Sequence, residues 1–103
     1  MQWHSGQPFP GKYSAPVSIP VEETTAVEIV PLGGTRYLTL SNQGPGKIYL
    51  CIGEDATPSN YNVIIPSGFN EWGRKIGTQK ITAICSPGET ANLMVALAPE
   101  IES

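Results

Sequence analysis

After residue 20, apolar and polar positions alternate with a period of two along most of the chain. Within 24–30, Val27 and Ile29 share one face and Glu28 takes the other. Leu38 and Leu40 point one way within 36–40, and Ile48, Leu50 and Ile52 do the same within 47–52. Residues 61–65 form a short, mostly apolar run. Residues 80–85 follow, and 91–97 align Leu93, Val95 and Leu97. Short alternating runs rich in Ile, Val, Thr and Tyr are the signature of half-buried strands. Turn residues part them: Gly33-Gly34, Asn42 to Gly46, Pro58, Pro66-Ser67-Gly68 and Ser86-Pro87-Gly88. Pro87-Gly88 suits the central positions of a type II turn, the second of which needs φ > 0. Six strands joined in this way predict an all-β domain over 21–103, a small antiparallel β-sandwich or jelly-roll-like barrel. Residues 66–76 read as a glycine-bounded loop carrying Phe69, Trp72 and Arg74.

Residues 1–20 break the pattern. Pro8, Pro10, Pro16 and Pro20 punctuate them, and Lys12 is their only charged side chain. Proline holds φ near −65° and biases the residue before it to extended geometry, which predicts an extended N-terminal arm over 1–20. This arm carries Trp3, Phe9 and Tyr13, although solvated tails are poor in aromatics. It either folds back over its own domain or orders against a neighbouring subunit. At ~3.1 Å per residue, twenty extended residues reach roughly 60 Å. Trp3, Phe9 and Tyr13 are the side chains whose burial offsets the entropy of ordering the arm. Removal of 1–20 is then expected to weaken binding while leaving the sandwich folded.

Composition narrows the class. Gly (11) and Pro (10) together occupy about a fifth of the 103 residues, too many for a helical bundle. Charged residues make up 15% and the net charge is −3, so there is no basic field for a phosphate backbone and no nucleic-acid partner is expected. The first residues show no basic start and no apolar core of a signal peptide. The longest apolar run, Leu93 to Ala98, falls far short of the ~20 residues that span a bilayer. A soluble chain made in a cytoplasm, with no membrane partner, is expected. Its cysteines, Cys51 and Cys85, then read as reduced and buried. Cys51 is out of phase with Ile48 and Leu50 whereas Cys85 is in phase with Ile81 and Ala83, so the sulfurs fall on different sides of their sheets.

Candidate chemistry is sparse. His4, the single histidine, lies in the arm, where a general base is not held within reach of a target. Two cysteines and one histidine lack zinc-ligand spacing. Asp55 is the only aspartate, and Glu54-Asp55 and Glu22-Glu23 read as solvated turns rather than cation sites. Gly44-Pro45-Gly46 lacks the Lys-Ser/Thr and helix of a phosphate loop. No catalytic residue, cofactor or metal is expected, and the chain does not read as an enzyme. Phe69 and Trp72 either plug one end of the sandwich or, with Arg74, form a contact or sugar-stacking loop.

The order of these signals is itself informative. Ser41-Asn42 leads through Gly-Pro-Gly to Ile48-Tyr49-Leu50-Cys51-Ile52-Gly53. A polar loop precedes Ile65-Pro66-Ser67-Gly68, followed by Trp72, by Ile81 to Gly88 and by a last apolar strand. Over 36–98 this resembles the small β-sandwich proteins in virions of tailed bacteriophages, which include capsid decoration (cement) proteins and some neck or tail accessory proteins. The resemblance implies a structural protein on the outer capsid surface, made in the host cytoplasm. It would bind the major capsid protein, bridge neighbouring subunits and often act as a homo-oligomer, with a trimer favoured. It names no catalytic residue. Two other readings stand beside it. One is a neck, tail or fibre component, and the other is a carbohydrate-binding module using Trp72, Phe69 and Tyr61.

Overall fold

The computed structural model describes residues 8–102, and for 8–10, 71–72 and 101–102 the backbone alone. Nine strands make up its regular structure. They are β1 (Pro8–Pro10), β2 (Val17–Val21), β3 (Val27–Val30), β4 (Arg36–Pro45), β5 (Ile48–Ile52), β6 (Val63–Ile65), β7 (Asn70–Ile76), β8 (Ile81–Cys85) and β9 (Ala91–Glu102). The fold is the small antiparallel β-sandwich that the alternation predicts. In the five-stranded sheet β4 lies between β7 and β9, while β2 and β1 share the other edge of β9. The second sheet runs β3-β8-β5-β6. From β2 onward every connection crosses between the sheets except that from β5 to β6.

The core lies where the two inner faces meet. Leu38 and Leu40 of β4, Leu93 and Val95 of β9, Ile48 and Leu50 of β5, and Ile81, Ala83 and Cys85 of β8 are buried there. A smaller cluster of Tyr49, Cys51, Ala56 and Ile84 lies on the outer face of the four-stranded sheet. The two cysteines thus occupy opposite faces of that sheet, as their phases predict, and both are free thiols. The Ser86-Glu89 turn closes with a 3.0 Å bond from the Glu89 N–H to the Ser86 carbonyl, and Gly88 has φ 80°.

Three expectations need correction. First, residues 70–76 are not a loop but strand β7, paired with β4. Its alternation is hidden because an edge strand buries little, and because Gly73 (φ 59°) makes a bulge where the register with β4 shifts between Leu38 and Leu40. Second, Asn42 to Pro45 continue β4 rather than turning. The phase of Leu38 and Leu40 carries Asn42 into the interior, and a register shift follows at Gly44. Third, part of the arm is sheet. Val17, Ile19 and Val21 alternate and pair with Val95, Leu93 and Ala91, and Val21 is buried in the core. Pro20 masks that pattern. Proline is tolerated here because β2 is an edge strand, whose outward side needs no donor.

Buried polar groups tie the loops to this frame. Asn42 is fully buried, and its Nδ2 donates to the carbonyls of Gly46 and Ile65, each at 2.9 Å. Its Oδ1 accepts the Gly44 N–H at 2.8 Å. One side chain therefore fixes the end of β4, the turn into β5 and the end of β6. Thr82 acts similarly: its Oγ1 donates to the Glu54 carbonyl and accepts the Ala56 N–H, both at 2.8 Å. At the opposite end Arg36 donates to the carbonyls of Pro31, Gly77 and Gln79, which staples two crossing loops together.

Candidate functional site

The arm runs antiparallel along nearly the whole length of β9 in the same chain. Pro8, Phe9 and Pro10 pair with Glu102, Ile101 and Glu100. The Gly11 N–H then donates to the Pro99 carbonyl at 2.7 Å and the Ser14 N–H to the Leu97 carbonyl at 2.8 Å. In return the Leu97 N–H donates to Ser14 Oγ at 3.2 Å. β4 leaves the ladder at the Arg36–Pro99 pair, the Glu100 N–H still donates to the Thr35 carbonyl at 3.3 Å, and beyond Glu100 only β1 remains beside the strand among the described residues. The sandwich thus extends into a two-stranded ribbon, and the molecule measures 50 × 24 × 18 Å.

Of the three arm aromatics, Trp3 lies outside the described residues and Phe9 is placed by its backbone on β1. Tyr13 is half-buried and reaches the bulge on β7: a Cβ at Gly73 would lie 3.5 Å from its hydroxyl. That hydroxyl is buried with no hydrogen-bond partner among the described residues. Burial, and then the nearby Tyr37, push its pKa up. Alongside, Lys75 Nζ lies 2.7 Å from Glu100 Oε2, and this bond raises the lysine pKa.

The second candidate surface is the side where β6 and β7, one free edge of each sheet, flank the core. Val63 pairs with Leu50 and so faces inward, yet it is 44% exposed, and Ile52 is 48% exposed. The sheets splay here around an apolar cavity of about 180 Å³, lined by Leu38, Leu50, Ile52, Val63 and Ile76 with Arg74. Arg74 pairs with Leu38, so its register is inward. On the outer face Ile64 pairs with Tyr49, and the rings of Tyr49 and Tyr61 stand 4.8 Å apart at 43°. Lys47 Nζ lies 5.6 Å from the Tyr49 ring centre. Phe69, 39% exposed, ends the Pro66–Phe69 turn that joins the two edges.

The candidate loop residues are therefore divided. Phe69 sits at the turn, Trp72 is placed by its backbone on β7, Arg74 lines the cavity, and Tyr61 lies on the other sheet beside Tyr49. Sequence reasoning missed the exposed apolar strand β6 as a surface. Its signal was present in Val63-Ile64-Ile65, where three apolar residues run together without alternation. Glu54-Asp55 lies exposed in the bend after β5, with Asp55 3.6 Å from Lys80 and Glu54 accepting from Asn60 at 3.4 Å. No group of three His, Cys, Asp or Glu among the described residues is placed to hold a metal ion. No helix among them is long and apolar enough to cross a membrane. Comparison with protein-family models, with curated proteins and with solved structures finds no match.

Proposed function

We propose that this is a structural virion protein, a capsid decoration (cement) protein that binds the outer surface of an assembled phage shell. Its partner is the major capsid protein, and it bridges neighbouring shell subunits. The observation that supports this reading is the ribbon formed by β1 and the end of β9. A two-stranded ribbon is marginally stable alone in water, and it gains stability from a surface that covers it. Phe9 and Ile101 are backbone register partners on this ribbon. Contact area of this kind is what a cement protein supplies.

A pelleting experiment with assembled shells of the same virus tests it. The full chain should co-sediment saturably, and a variant lacking residues 1–10 should lose most of that binding. Equal pelleting of both chains would remove the ribbon from the interface. Imaging of purified particles separates the shell surface from a neck, tail or fibre position.

A further inference from the structure

We infer that β6 is an interface between two copies of this chain, paired antiparallel across a two-fold axis at Ile64. Among the described residues each sheet has two free edges, and three of the four carry devices that block strand addition. On the arm edge Pro8, Pro10 and Pro20 remove donors. β3 is interrupted by a register shift between Glu28 and Val30 and is followed by Pro31. β7 has the Gly73 bulge, then Arg74 and Lys75. A natural sheet protects its edges with prolines, bulges and charges, because an unprotected edge pairs with another chain. Within its own three residues β6 has none of these, although Pro66 follows it as Pro31 follows β3. Its three residues, Val63-Ile64-Ile65, are all apolar.

Charge selects the second copy as the occupant. Residues 56–70 contain no charged side chain, and this is the longest uncharged stretch in a chain of net charge −3. A patch that meets its own duplicate brings like groups together, and like charges facing each other across an interface are costly. This stretch avoids that cost within itself, with Arg74 of β7 the charged side chain that lines the adjoining cavity. An isologous contact also requires the patch to be complementary to itself. With the axis at Ile64, Val63 faces the copy's Ile65 on the inner side and Ile64 faces Ile64 on the outer side. The two four-stranded sheets then run into one. Val63 and Ile52, exposed at the mouth of the cavity, become covered from the inner side. Ile64 (40% exposed) and Tyr61 (40% exposed) become covered from the outer side. The interface stands apart from the ribbon and holds whichever surface the protein decorates.

Sedimentation equilibrium of the full chain tests this over a concentration series. The expected limit at high concentration is twice the 11.0 kDa chain mass. Ile64→Lys should shift the particle to a single chain while leaving the far-ultraviolet dichroism unchanged and the melting temperature at that of the unaltered chain in its dilute, single-chain limit, since Ile64 lies outside the core. Ile64→Cys should form a covalent two-chain product on mild oxidation, reversed by reductant. The unaltered chain, whose Cys51 and Cys85 are buried, should not. Val17→Cys, exposed on the proline-bearing edge, should not either. A single-chain mass at every concentration would overturn the proposal and leave β6 to a strand of another protein. A three-chain mass, or a two-chain mass that Ile64→Lys leaves intact, would overturn it equally.

Discussion

Asn42 shows how much one side chain holds in this molecule. Its amide satisfies two carbonyls and one N–H from three different segments, all without solvent access. Asn42→Ala leaves those groups unpaired, and buried unpaired groups cost about 1–3 kcal/mol each. Some relax toward water, so urea unfolding should show a loss of about 3 kcal/mol with the fold retained. Tyr13 and Cys85 tell the opposite story, since burial raises the pKa of both acids and the Glu89 charge adds to the effect at Cys85. The folded state therefore holds these protons more tightly than the unfolded chain. The resulting stability is complete below the ordinary thiol and phenol values, 9.0 and 10.0, and is lost as pH rises through the higher folded values. Melting temperature should thus fall on the alkaline side. Tyr13→Phe keeps the ring and removes the unpartnered hydroxyl. It should melt no lower than the parent at neutral pH and lose less stability above pH 10, while the Cys85 share of the loss persists.

At the scale of elements, the arm is two things. Residues 17–21 are a structural strand, because Val21 and Ile19 pack into or against the core and the ladder to β9 is continuous there. Residues 8–10 add only the ribbon. Cutting at residue 20 therefore strips β2 and bares the edge of β9, contrary to the expectation that the sandwich survives the loss of 1–20. The chain without 1–20 should melt far lower or aggregate, whereas the chain without 1–10 should melt close to the parent. Thermal dichroism of the two truncations decides it. The strands that sequence reasoning found, β3, β4, β5, β6, β8 and β9, are mostly those with a face in the core, where the two-residue period is imposed by burial. Those it missed are edge strands. In β2 the period is present but crossed by Pro20, and in β7 it is broken by Gly73 and by Arg74, a charged residue at an inward register. An edge strand needs fewer donors and less apolar surface, so the chemistry that marks a strand interior is not demanded of it.

For the whole molecule, the proposed roles of the ribbon at one end and of the uncharged edge on one side give the protein two separate contact surfaces. A protein that binds only the assembled shell stabilises it by mass action. Shells carrying the full chain should therefore release their contents at a higher temperature than bare shells, and shells mixed with the chain lacking 1–10 should behave as bare ones. Dye-release melting curves measure this. The period-two runs, the Pro-Gly turns and the opposed phases of Cys51 and Cys85 were legible in the amino-acid order because each is a local consequence of backbone geometry and one buried face. The course of the arm, the inward turn of Asn42 and the exposed pair of edges at β6 and β7 were not. These depend on which strand lies beside which, and that is settled by pairing between residues as far apart as Pro8 and Glu102, where no local pattern records the neighbour.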